Sequence, residues 1–149
     1  MTQEQVRLVQ QSWDLVKPIA KDAAHIFYDK LFTVAPTIRH LFKEDISEQT
    51  GKLAMMLNFV VGKLHRIEDI ASDVQKLGAS HNRYGARPEH YDVVGSCLIA
   101  TLKQGLGIHW NTELEKAWVA AFTILKNVMV EAQLVTAENA AKYKPVPSE

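Results

Sequence analysis

The chain has 149 residues, a length that suits one domain able to bury a sizeable core. Lys+Arg and Asp+Glu each number 17, so there is no basic surplus to neutralise a phosphate backbone or an anionic bilayer, and neither nucleic acid nor a membrane is expected as a partner. The single cysteine, Cys97, excludes an intramolecular disulfide and reads as a packed, inert thiol in "VVGSCLIATL"; with no secretory signal in "MTQEQVRLVQQSW", a cytoplasmic location is expected.

In chain order, apolar residues recur at helical spacing. Val6, Val9, Trp13 and Val16 form the first stripe, and Pro18 ends it. Pro36 precedes a short turn carrying Ile38, Leu41 and Phe42. Leu53, Met56, Leu57, Val60 and Leu64 form the next stripe, then Val74, Leu77 and His81, after which Gly85 and Pro88 interrupt the pattern. Tyr91, Val94, Leu98 and Leu102 follow, closed by Gly105 and Gly107. Leu114, Trp118, Ala121, Phe122, Leu125 and Met129 make the last stripe, which a capping box from Thr112 to Glu115 is expected to open. The spacing predicts an all-α domain of about seven helices over residues 1–138, with a flexible tail over 139–149, where two prolines appear.

The sequence holds no HExxH, no Walker loop and no cluster of Cys and His, and "GLGIHW" lacks the third glycine of a dinucleotide loop. The acid pairs Glu44/Asp45 and Glu68/Asp69 read as solvated surface. His25, His40, His65, His90 and His109 stand in charged or mixed surroundings, as surface residues would. His81 differs, because it extends the stripe of Val74 and Leu77 and so is aimed at the interior. Such a histidine is either a core side chain satisfied by a backbone carbonyl or an axial ligand to one metal ion. One histidine suffices as protein ligand where a porphyrin supplies four more.

Four blocks carry a resemblance: "FYDKLFTVAPTIRHLF" from Phe27, "QTGKLAMML" from Gln49, "LGASHNRYG" around His81, and "PEHYDVVGSCLIATL" followed by "ELEKAWVAAF". In order and spacing, from about Val6 to Met129, the chain resembles bacterial single-domain globins, similar to the haem domain of flavohaemoglobins. The resemblance implies the globin fold, seven to eight helices around a pocket for haem b (iron protoporphyrin IX). It puts His81 at the axial iron ligand, Phe42 against the porphyrin, and Tyr28 and Gln49 at the distal positions that stabilise a bound ligand. An alignment without gaps would instead set Lys52 on the distal face. Leu53, Met56, Leu77, Tyr84, Tyr91, Val94 and Leu98 complete the pocket on the same resemblance, Tyr91 lying beneath His81. Where that group places a glutamate in its last helix, this chain has Gln133.

The resemblance further implies binding of dioxygen, nitric oxide and carbon monoxide by a monomer or weak homodimer. Reversible oxygen binding, for storage or delivery, is the first expectation. Nitric oxide dioxygenase activity, served by a separate reductase, is the alternative.

Overall fold

Thr2 opens the first helix, α1 (Gln3–Val16), by a reciprocal pair in which its side chain accepts from the Gln5 N–H and the Gln5 side chain accepts from the Thr2 N–H, both at 3.0 Å. Val9, Trp13 and Val16 recur along one face of α1 and are buried. The computed structural model describes residues 1–66, 72–73, 75–76 and 90–142, with side chains in the last helix described through Met129.

A 3-10 turn at Lys17–Ile19, with Pro18 at its start, leads to α2 (Ala20–Val34), and a second, Pro36–Leu41, follows it. Proline fixes φ and lacks an N–H, which is harmless in a first turn where that donor has no helical acceptor. Next come α3 (Ser47–Gly62), a turn at Leu64–Arg66, α4 (His90–Leu106), a turn at Gly107–His109, and α5 (Thr112–Lys142). The described residues thus hold five full helices and four 3-10 turns, with helical backbone also at 72–73 and 75–76 and no strand.

Three local features refine the sequence reading. Gly107 ends α4 at φ +51, a left-handed conformation open to glycine at no steric cost. The cap of α5 is Asn111 rather than Thr112: the Asn111 side chain accepts from the Leu114 N–H at 2.8 Å, and Thr112 is already the first helical residue. The backbone of α5 runs on to Lys142, so residues 139–142 continue the helix. "NAAK" contains no breaker, and the prolines stand at 145 and 147. Residues 143–149 lie outside the described residues.

Two apolar clusters form the core. The first joins Val9, Trp13 and Val16 of α1 to Val60 and Val61 of α3, Leu102 and Leu106 of α4, and Leu114 and Trp118 of α5. The second is built on α2, from Phe27, Tyr28 and Leu31, with Ile38 and Cys97, and Leu98 packs against both. Each fully buried aliphatic or aromatic side chain contributes about 1.5 to 3 kcal/mol relative to exposure. Polar bonds set the register of α1. Trp118 Nε1 donates to Ser12 Oγ at 2.9 Å, Ser12 donates on to the Val9 carbonyl at 3.0 Å, and Trp13 Nε1 donates to Asn58 Oδ1 at 3.1 Å. The Phe122 ring of α5 packs against the α4 backbone at Gly95, where a Cβ would stand 2.4 Å from Phe122 Cε1. Burial pushes the Cys97 thiol up from its ordinary value, as the inert reading expects, with Lys30 opposing by a smaller amount.

Candidate functional site

On α2, Ala24, Phe27, Tyr28 and Leu31 face inward at spacings of three and four, which leaves the Tyr28 phenol buried in the second cluster. Its ring meets Phe27 edge to face at 4.9 Å, stacks with Phe32 at 5.8 Å and meets Phe42 edge to face at 5.5 Å. Phe32 and Phe42 close the set at 5.2 Å. Such contacts add to simple burial because each ring presents its positive edge to another's negative face. Phe42 reaches this place because the Pro36–Leu41 turn reverses the chain after α2, and its N–H donates to the Arg39 carbonyl at 3.1 Å.

α3 supplies the polar partner. The Asp45 side chain accepts from the Ser47 N–H at 2.9 Å at the helix start, and that bond holds its carboxyl below the usual range. One turn in, Gln49 Nε2 donates to the Tyr28 hydroxyl at 3.2 Å. Leu53, four residues later on the same face, packs against the second cluster. Lys52 turns away. Its side chain is 65% exposed and its ammonium lies 3.2 Å from Glu48, so the structure sets Gln49, not Lys52, beside Tyr28.

Burial raises the Tyr28 phenol above its ordinary value, opposed by a smaller lowering from the Gln49 bond. The hydroxyl is therefore neutral at physiological pH and keeps its proton to donate.

α4 brings Val94 and Leu98 against the second cluster, while Tyr91 belongs to the first, buried, with its phenol pushed up to about 12. Met56 also packs on the first cluster. Leu77, His81 and Tyr84 lie outside the described residues. Tyr28, Phe42, Gln49, Leu53, Val94 and Leu98 are thus brought together, and Met56 and Tyr91 sit in the adjoining core. A cavity of about 450 Å³ between the start of α1, Leu64 and Ile124 collects none of the predicted site residues.

A flat, largely apolar group carrying a small polar ligand needs an apolar wall broken by few donors. Phe42, Leu53, Val94 and Leu98 are half-buried apolar side chains around Tyr28, and the Tyr28 hydroxyl and Gln49 amide are the polar pair among them. These residues fit a haem. Among the described residues no three His, Cys, Asp or Glu side chains cluster so as to hold a metal ion, and no helix is long and apolar enough to cross a membrane.

Sequence reasoning passed over Phe27, Phe32 and Arg39. The signal for Phe32 was present, since it follows Tyr28 by four residues on one helix, the spacing at which two side chains meet.

The globin family model matches residues 25–129. The anaerobic nitrite reductase HBII of Casuarina glauca is 32% identical over 136 residues, 81% of this chain and 85% of that protein. The flavohemoprotein of Vibrio cholerae is 25% identical over 137 residues, 89% of this chain and 34% of that protein, so the chain spans about a third of that relative. The bacterial globin of Campylobacter jejuni superposes with a TM-score of 0.83 at 23% identity, covering 92% of this chain and 99% of that one. An aromatic cluster on α2 and the turn after it, bonded to Gln49 of α3, and a family match that begins within α2 and runs on to Met129, lead to one conclusion: the chain belongs to the globin family and has its haem-binding fold.

Proposed function

We propose that the protein binds dioxygen reversibly on a haem b held by His81, with Tyr28 and Gln49 as the distal donors, and serves oxygen storage or delivery. The observation that carries this reading is the Gln49 to Tyr28 hydrogen bond at 3.2 Å within an apolar, aromatic cluster. A haem held there would supply an iron able to bind a diatomic ligand whose outer atom carries partial negative charge. The Gln49 amide fills one lone pair of the Tyr28 hydroxyl, so the phenolic proton points elsewhere and is free to donate to that negative end. A hydrogen bond to a charged group contributes about 1.5 to 3 kcal/mol, and about 1.4 kcal/mol is tenfold in an equilibrium, so slow ligand release follows. Phe42, Leu53, Val94 and Leu98 keep the surroundings apolar and exclude water from the reacting centre. His81, which the globin likeness puts at the iron, would hold the haem through its imidazole.

The test is spectroscopic. Protein purified with haem available is expected to show a Soret band that shifts when oxygen meets the ferrous form and returns when oxygen is removed. Absence of a Soret band overturns the proposal.

A second reading is nitric oxide dioxygenase activity, with nitrate as product and electrons from a reductase. The likeness to a flavohemoprotein over 89% of this chain favours it. Nitrate formed over many turnovers with a supplied reductase supports it, and a single turnover only counts against it.

A further inference from the structure

Arg39 sits on the turn before Phe42, and its guanidinium donates to three consecutive backbone carbonyls: Phe42 at 3.3 Å, Lys43 at 2.9 Å and Glu44 at 2.8 Å. The Arg39 carbonyl in turn accepts from the Phe42 N–H at 3.1 Å, so residue 42 is held by residue 39 at both ends of its backbone. The same guanidinium lies over the Phe32 ring, with Cζ 4.7 Å from the centroid. Phe32 stacks on Tyr28 and meets Phe42 edge to face, so a single cation ties the backbone of the turn to the rings that fix Tyr28.

This geometry needs arginine. Three successive carbonyls converge on one point only if the chain curls, and their aligned negative ends repel unless a cation with several donors sits among them. A planar guanidinium offers five N–H groups in a fixed fork and stacks on an aromatic face at the same time, whereas an ammonium is a compact point charge without the fork.

We propose that Arg39 is the positioning residue of the distal pocket: by gathering the carbonyls of residues 42–44 while lying on Phe32, it fixes Phe42 and sets the direction in which the Tyr28 hydroxyl donates. Arg39 acts through Phe32 and Phe42. The inference rests on the distal reading of Tyr28 made above.

The test reads the carbon monoxide stretching frequency of the ferrous holoprotein, which falls when a donor points at the ligand oxygen. Tyr28→Phe is expected to raise it. Arg39→Met should raise it by a smaller amount in the same direction, and Arg39→Lys by less again. Adding Arg39→Met to Tyr28→Phe should bring no further shift, because both act on one donor. Oxygen dissociation should be about fivefold faster in Arg39→Met, the factor that goes with a small loss of interaction energy. A parental frequency in Arg39→Met beside a shifted one in Tyr28→Phe overturns the proposal and leaves the distal reading standing, even if the variant melts earlier. An unshifted Tyr28→Phe overturns both. Should Arg39→Met yield no folded holoprotein, Arg39→Lys decides alone, and a parental frequency there is the negative result.

Discussion

Gln49 on α3 donates to the hydroxyl of Tyr28 on α2 at 3.2 Å, twenty-one residues earlier in the chain, and does so against rings that leave Tyr28 little freedom to turn. On the proposed reading, Tyr28 holds a proton for a ligand and Gln49 keeps that proton aimed.

The two residues therefore differ in the consequence of their loss. Tyr28→Phe removes the donor, and oxygen dissociation is expected to accelerate about tenfold or more. Gln49→Leu leaves the donor but frees its orientation, so a smaller acceleration is expected. Stopped-flow measurement of oxygen release checks both, and unchanged rates in both variants would mean that neither side chain faces the ligand.

Lys52→Ala separates the two alignments of the distal helix. Its ammonium pairs with Glu48 at the surface, so oxygen release is expected to match the parent. A changed rate would bring Lys52 to the ligand side.

Replacing His81 by Ala removes the axial ligand that the globin likeness implies. Haem retention is expected to fail on gel filtration, with the Soret band lost or shifted to that of free haem, and added imidazole should restore part of it. Full retention with an unchanged ferrous spectrum would assign the ligand to another side chain.

Two buried phenols predict an alkaline limit. Burial raises the value of Tyr28 and pushes Tyr91 up to about 12, against about 10 for an exposed tyrosine. Below about pH 10 both are neutral in folded and unfolded chains, and their contribution to stability is fully present. As pH rises from about 10 to 12 the unfolded chain loses these protons first, so stability falls across that window. Denaturant midpoints measured through it should decline, and less steeply in Tyr91→Phe. Oxygen release should stay flat from about pH 6 to 9, since Tyr28 keeps its proton throughout.

Gly95→Ala tests the close approach of α4 and α5. The added methyl would stand 2.4 Å from Phe122, whose ring must shift, and overpacking of this kind costs about 1 to 3 kcal/mol. Urea unfolding should show that loss, and Phe122→Leu in the same chain should recover part of it.

The helices were legible because burial leaves a mark on spacing. Val9, Trp13 and Val16, then Leu114, Trp118 and Ala121, stand where a period of 3.6 puts them. The cap of α5 was misread by one residue, since "NTELE" offers two side chains that can both cap and only the backbone decides between Asn111 and Thr112. Within the pocket, the likeness to globins indicated Tyr28, Phe42 and Gln49, and periodicity alone could not have joined them. The Arg39 clamp was invisible, because its acceptors are backbone carbonyls and any sequence offers those. Met55 and Phe59 mark the opposite limit: both are apolar, yet they are 74% and 44% exposed.

The buried hydroxyl of Ser12 gives the fold a schedule. It accepts from the indole N–H of Trp118, which lies 106 residues further along, and donates to the Val9 carbonyl. α1 can pack on α3 and α4 before that indole is made, but the bond at Ser12 closes only once α5 has been synthesised.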